Sequence, residues 1–221
     1  MFLTNKTKNP TIQELQKNDD FELMAELSHS QIKDFIINQI SEGGSIIKIY
    51  MIYQALMILI GIFFLTRSVL LALAGNFSPL LFTLSGLFIT LTLLIIIHEL
   101  LHGLALILAG ARRVNFGAYP KKFIFYAEAD RQVLNRRQFT FVALTPLFTV
   151  KIISLAAIIM YADHPFFYLP LFLMSAHSLF CAGDIGILSA FYRHRNSEIF
   201  SYDVKAEKKS YFYRKIIKDH H

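Results

Sequence analysis

Cysteine is almost absent: Cys181 is the only one in 221 residues, so no intrachain disulfide can form and redox compartment is not recorded in the chain. Charge is scarce as well. Asp, Glu, Lys and Arg make up 17% of residues against 54% hydrophobic, far from a soluble average, and the mean hydropathy of +0.45 points to a membrane. The stretch before Gly44 lacks the compact apolar core of a signal peptide, so insertion is expected to rely on internal apolar segments. A basic stripe is missing too. The net charge is +6, but Lys and Arg gather between hydrophobic runs, which favours a lipid bilayer as the partner and excludes nucleic acid. Repeated histidine boxes are also lacking: His29, His164, His177, His194, His220 and His221 are not spaced as a diiron oxygenase requires.

What is present is Ile95-Ile96-Ile97-His98-Glu99-Leu100-Leu101-His102-Gly103, inside an apolar run long enough to cross a membrane. The HExxH spacing puts two imidazoles at i and i+4 on one helical face, where both reach a single Zn²⁺, and leaves Glu99 beside them as general base. Each charged group in the middle of such a helix costs on the order of 3 kcal/mol, and groups retained at that cost usually mark function.

Around this segment the expected architecture is an all-α membrane protein with four transmembrane helices. Residues 1–45 read as a cytoplasmic helical arm, with Thr11 and Glu14 at capping-box spacing and an amphipathic helical stripe from Phe21 to Ile40. The metallopeptidase unit covers residues 46–191, and residues 192–221 read as a basic cytoplasmic tail. The first span is Ile46 to Thr66. The second, Leu80 to Gly110, would be about 46 Å as one helix, so it tilts, protrudes or breaks near Ser85-Gly86. In the loop 111–137, two short β-prone runs flank Pro120-Lys121-Lys122. They read either as a β-hairpin, whose edge strand beside the site would hold an extended substrate, or as a plain interfacial loop. Glu128 and Asp130 in this loop read as solvated charges. The third span, Gln138 to Tyr161, contains Pro146, which frees carbonyls near the site, and Lys151. The fourth runs from Phe166 to Phe191.

The third metal ligand is expected from His177 or Asp184, seven residues apart on one face of the fourth span. Asp184 is preferred, because a carboxylate offsets the metal charge and Gly183 permits close helix approach; His177 and Lys151 then stand as candidates behind the ligands or at the substrate. Lys and Arg number one between spans one and two, seven in the loop 111–137 and eight after Phe191, which places both termini in the cytoplasm. Under that topology His102 and Asp184 lie at similar depths.

His98-Glu99-Leu100-Leu101-His102-Gly103 in a membrane helix, the basic hairpin region and Gly183-Asp184 in the last span together resemble the putative zincin peptidase family of small bacterial membrane proteins, over Leu94 to Ser189. The arrangement is more distantly similar to site-2 proteases, whose Asn-Pro-Asp-Gly or Leu-Asp-Gly signature is replaced here by Ala182-Gly183-Asp184-Ile185-Gly186. The resemblance implies a peptidase, bacterial and located in the cell membrane. The expected chemistry is hydrolysis of a membrane or membrane-proximal polypeptide, with one Zn²⁺ per chain on His98, His102 and Asp184 and with Glu99 as general base. Two rival readings are a peptidase at the cytoplasmic boundary using Glu198 as third ligand, and a zinc-binding scaffold without turnover.

Overall fold

The computed structural model describes residues 9–28, 31–119, 124–193 and 197–216. The expected turn at Pro120-Lys121-Lys122 and the residues His29, His194, His220 and His221 lie outside them. The chain opens on α1 (Ile12–Lys17), started by the capping box its sequence signals: Glu14 N–H donates to Thr11 Oγ1, and the Glu14 carboxylate accepts from the Thr11 backbone N–H. Here the helical reading of the arm needs a first correction, since Phe21–Ser28 is a strand, β1. Its partner lies almost 190 residues away: β1 pairs antiparallel with β6 (Lys209–Lys215), with Phe21 opposite Lys215 and Ser28 opposite Lys209. Glu22 pairs with Arg214 and Glu26 with Lys209 across the two strands. A tertiary partner therefore decides between two periods that a short amphipathic run fits equally well. The stripe resumes as a helix in α2 (Ile32–Glu42).

The tail is likewise structured. β5 (Ile199–Val204) joins β6 on one side and β4 (Leu134–Asn135) on the other, giving a four-stranded sheet in the order β1-β6-β5-β4. The all-α expectation is corrected accordingly: arm and tail share one sheet, set against a mostly helical body. Stacking of Phe139 on Phe191, with ring centroids 4.1 Å apart, and the edge contact of Phe191 with Phe212 attach the sheet to the helices. The hairpin reading holds for β2 (Asn115–Tyr119) and β3 (Ile124–Glu128), which pair antiparallel.

Among the described residues, two helices are long and apolar enough to cross a membrane, α3 (Ser45–Leu73) and α6 (Arg136–Met160). Their outward side chains are bare, Ile52 at 73% and Ile152 at 66% exposed, a surface suited to lipid rather than water. Two further candidates are bent pairs: α4 (Ser78–Leu91) with α5 (Leu93–Leu108) at 48°, and the Pro165–Phe180 segment ending in α7 (Tyr168–Phe180) with α8 (Ala182–Arg193) at 47°.

The break in the first pair falls at Thr92, not at Ser85-Gly86. Thr90 and Thr92 turn their hydroxyls onto the carbonyls four residues back, Gly86 and Phe88, and such bonding bends a helix. Gly86 serves packing instead: a Cβ there would sit 2.7 Å from the Leu169 carbonyl oxygen of α7. α6 begins on a second capping box, Asn135 with Gln138, and Gln138 Nε2 also donates to the Ala109 carbonyl at the end of α5. Ala105 and Leu106 of α5, with Ala109 just after it, pack with Val142 of α6, which brings the HExxH helix against the proline-containing one.

Candidate metal centre

His98 and His102 lie one turn apart on α5, both buried, with their Nε2 atoms 3.0 Å from each other. The bend at Cys181 turns the start of α8 toward them. Asp184, in the first turn of α8, puts Oδ2 3.2 Å from His98 Nε2 and Oδ1 3.2 Å from His102 Nε2. The expected continuous fourth helix is therefore corrected: His177 and Asp184 sit on either side of a break, and both reach α5. The glycine argument also changes. A Cβ on Gly183 would make only ordinary contact with Ile36 of α2, whereas one on Gly186 would lie 2.8 Å from Ile36 Cγ2, so Gly186 is the position of close approach, and it faces α2 rather than α5.

His102 Nδ1 lies 3.0 Å from the Val142 carbonyl oxygen. A carbonyl only accepts, so Nδ1 carries the proton and Nε2 keeps its lone pair. Val142 stands four residues before Pro146, and proline has no N–H to bond that carbonyl within the helix. The kink residue of the third span thus supplies the acceptor that sets the tautomer of His102, the detail behind the expectation that Pro146 frees carbonyls here. His98 Nδ1 is held in turn by His177 Nε2 at 3.0 Å.

Two imidazole nitrogens and two carboxylate oxygens thus converge from α5 and α8. The 3.0–3.2 Å separations are close to the roughly 3.3 Å edge of a tetrahedron whose ligands lie about 2.0 Å from a central ion. Lone pairs and a carboxylate directed at one point repel each other unless a cation lies between them, and two His with one Asp are ligands Zn²⁺ accepts. The donor set fits the ion.

Glu99 projects from the same turn into a cavity of about 620 Å³. Its Oε2 is buried with no hydrogen-bond partner, and its carboxylate accepts the Ala127 backbone N–H. β3 pairs with β2 on one edge, and its residues Phe125 to Glu128 border the cavity beside Glu99. From the histidines the cavity runs between Ile36 of α2 and Phe125 of β3 to Tyr202, Asp203 and Phe212 of the sheet. Glu128, expected to be solvated, is 4% exposed and lines this space; burial first, then the nearby Asp203, push its carboxyl up.

The remaining candidates lie elsewhere. Lys151 Nζ donates to the Met174 carbonyl at 3.1 Å, contacts Met57 Sδ and sits 4.7 Å from the Tyr53 ring centroid, so it is held among the helices by a carbonyl and a cation–π contact. Glu198 is exposed and paired with Lys215, so the structure does not bring the alternative ligand to the histidines. Sequence reasoning missed the contribution of the tail. The β-prone run Ile199-Phe200-Ser201-Tyr202-Asp203-Val204 and the aromatic run Ser210-Tyr211-Phe212-Tyr213, separated by five residues rich in Lys and Glu, carried the hairpin signal.

Residues 91–199 match the family model described as Putative zincin peptidase, a segment that contains α5, the β2–β3 hairpin, α6, α7 and α8. No curated protein and no solved structure matches the chain.

Proposed function

We propose, from the membership of residues 91–199 in the Putative zincin peptidase family, that this protein is a membrane-embedded zinc metallopeptidase carrying one Zn²⁺ on His98, His102 and Asp184. The observation that carries the reading is the convergence of two imidazoles, that of His102 with its tautomer fixed by the Val142 carbonyl, and a carboxylate from separate bent helices, next to a buried, unpartnered Glu99 oxygen. When bound, the ion supplies Lewis acidity, making water a nucleophile near neutral pH and polarising a carbonyl. Glu99 takes a proton from the attacking water as its oxygen bonds to the scissile carbonyl carbon. The same carboxyl then delivers that proton to the amide nitrogen as the C–N bond breaks, so the products are one amine and one carboxylic acid, which then ionises by losing its own proton to the amine or to water. The β3 edge orients an extended substrate by main-chain pairing, and the Ala127 N–H holds Glu99 toward it.

The substrate is a membrane or membrane-proximal polypeptide, since the cavity opens between membrane-type helices and the sheet. We place the protein in a bacterial cell membrane as a multi-pass protein with cytoplasmic N- and C-termini. The test is zinc stoichiometry and turnover of a peptide library by detergent-purified wild type, Glu99→Gln, Asp184→Ala and Glu198→Ala. About one zinc is expected in wild type, Glu99→Gln and Glu198→Ala, with loss in Asp184→Ala, and turnover in Glu99→Gln should fall by at least about 10²-fold. Zinc retained by Asp184→Ala and lost from Glu198→Ala would transfer the third ligand to Glu198. Full turnover by Glu99→Gln would end the peptidase mechanism.

A further inference from the structure

His102 Nδ1 has an obligate acceptor in the Val142 carbonyl, and the Nε2 atoms of His98 and His102 face the convergent ligand set. The contact between His98 Nδ1 and His177 Nε2, 3.0 Å apart, is left open by its own geometry, since either imidazole can donate. His98 faces His102 and Asp184 only through Nε2, so a ligating His98 must keep its lone pair there and its proton on Nδ1. His177 Nε2 then accepts, which leaves the His177 proton on Nδ1. Cys181 Sγ lies 3.8 Å from that nitrogen, and its own thiol has the His177 carbonyl as acceptor at 3.5 Å. His177 and Cys181 are both 0% exposed, so no bulk water competes for either atom.

We infer that His177 is a positioning residue: a buried neutral imidazole that accepts the Nδ1 proton of His98 and so holds the ring orientation and tautomer in which His98 binds metal. Val142 plays the same part for His102, and the two supports come from different helices, α7 and α6. α7 and α8 are the two arms of one bent pair, so a single break at Cys181 delivers the carboxylate ligand from one arm and the support for a histidine ligand from the other. The inference rests on the zinc reading above and adds a role for a residue outside the ligand set.

The experiment is the zinc dissociation constant of the full chain in detergent, measured by competition with a chromogenic chelator, for wild type, His177→Leu, His177→Gln and His177→Asn. Leu removes the acceptor and should weaken zinc binding about 10- to 100-fold. Gln can place its Oε1 near the position of Nε2 and should stay within about threefold of wild type, while the shorter Asn cannot reach and should weaken binding as Leu does. That ordering, with apo-state thermal midpoints alike for Gln and Asn, supports the inference even if Leu fails to fold. Equal affinities for all four proteins, or equal losses for Gln and Asn, overturn it while the zinc centre stands. Two zinc ions in wild type, one of them lost in both His177→Leu and Cys181→Ser, would make His98 Nδ1, His177 and Cys181 a second metal site and overturn it as well. No zinc in wild type removes the underlying reading and this inference together.

Discussion

Asp203 shows how a single side chain couples the sheet to pH. It stands in β5 on the cavity wall, with Oδ1 accepting the Ser210 hydroxyl and Asp130 beside it across an isolated bridge. Burial, and then the Asp130 charge, raise its pKa from the usual 3.8 to about 6, although the Ser210 hydrogen bond pulls the other way. A carboxyl with a raised folded-state pKa makes the folded chain hold more protons than the unfolded one between those two values. Its effect on stability is therefore most favourable below about pH 4, declines as pH rises, and levels off above about pH 6. Asp203→Asn keeps a carbonyl for Ser210 and removes the ionisation. The variant should match wild type near pH 4 and exceed it near pH 8 by on the order of 2 kcal/mol, read from thermal or denaturant midpoints in detergent. An Asn–wild-type difference that is the same at both pH values would show that Asp203 does not ionise in this range. Nothing in the local sequence announces this residue, because its burial depends on strands that meet only in the fold.

At the scale of single elements, what was legible follows from how local the physics is. The HELLH face, the Thr11 helix start and the β2–β3 hairpin rest on spacings within a few residues, and all are present in the fold; Asp184, preferred for its charge rather than for a local spacing, stands beside the two histidines. The strand at Phe21–Ser28 was not legible: its pairing partner is β6, and eight amphipathic residues fit a helix as readily until β6 brings Arg214 and Lys209 to ion-pair with Glu22 and Glu26. The bend at Thr92 was hidden for another reason. Gly86 is the obvious breaker by propensity, yet α7 crosses so close that a glycine is needed for contact, and the hydroxyls of Thr90 and Thr92 do the bending. This gives an element-level prediction. Gly86→Ala places a methyl group against the Leu169 carbonyl oxygen and Phe172 and should cost about 1–3 kcal/mol, lowering the thermal midpoint. Gly61→Ala, whose Cβ would meet Ser175 Cβ at an ordinary 3.5 Å, should be close to neutral. Equal effects of the two substitutions would mean that helix propensity, not the α4–α7 approach, governs these sites.

For the whole molecule, the contacts sort the connections into two ends. Phe82 of α4 meets Phe166 and Phe64 of α3 meets Phe167, so the connection after α3 and the one after α6 lie together. At the opposite end, Gln138 reaches the last turn of α5, Lys205 reaches Asn115, and β4 runs directly into α6 beside the sheet formed by arm and tail. The Lys- and Arg-rich segments, 111–137 and the tail, share this second end, where the positive-inside rule puts the cytoplasm. If each bent pair crosses the membrane, Asn76 and Asp163 face outward while Arg113 and Glu207 face the cytoplasm. The four positions are exposed, and Cys181 is fully buried, so single-cysteine substitutions can be probed with a membrane-impermeant maleimide. The expected result is labelling of Asn76→Cys and Asp163→Cys in right-side-out vesicles and of Arg113→Cys and Glu207→Cys only in inverted ones. Labelling of Arg113→Cys and Glu207→Cys from opposite sides would overturn the four-span reading, because the β4–β5 pairing and the Lys205–Asn115 bond hold these two positions at one end.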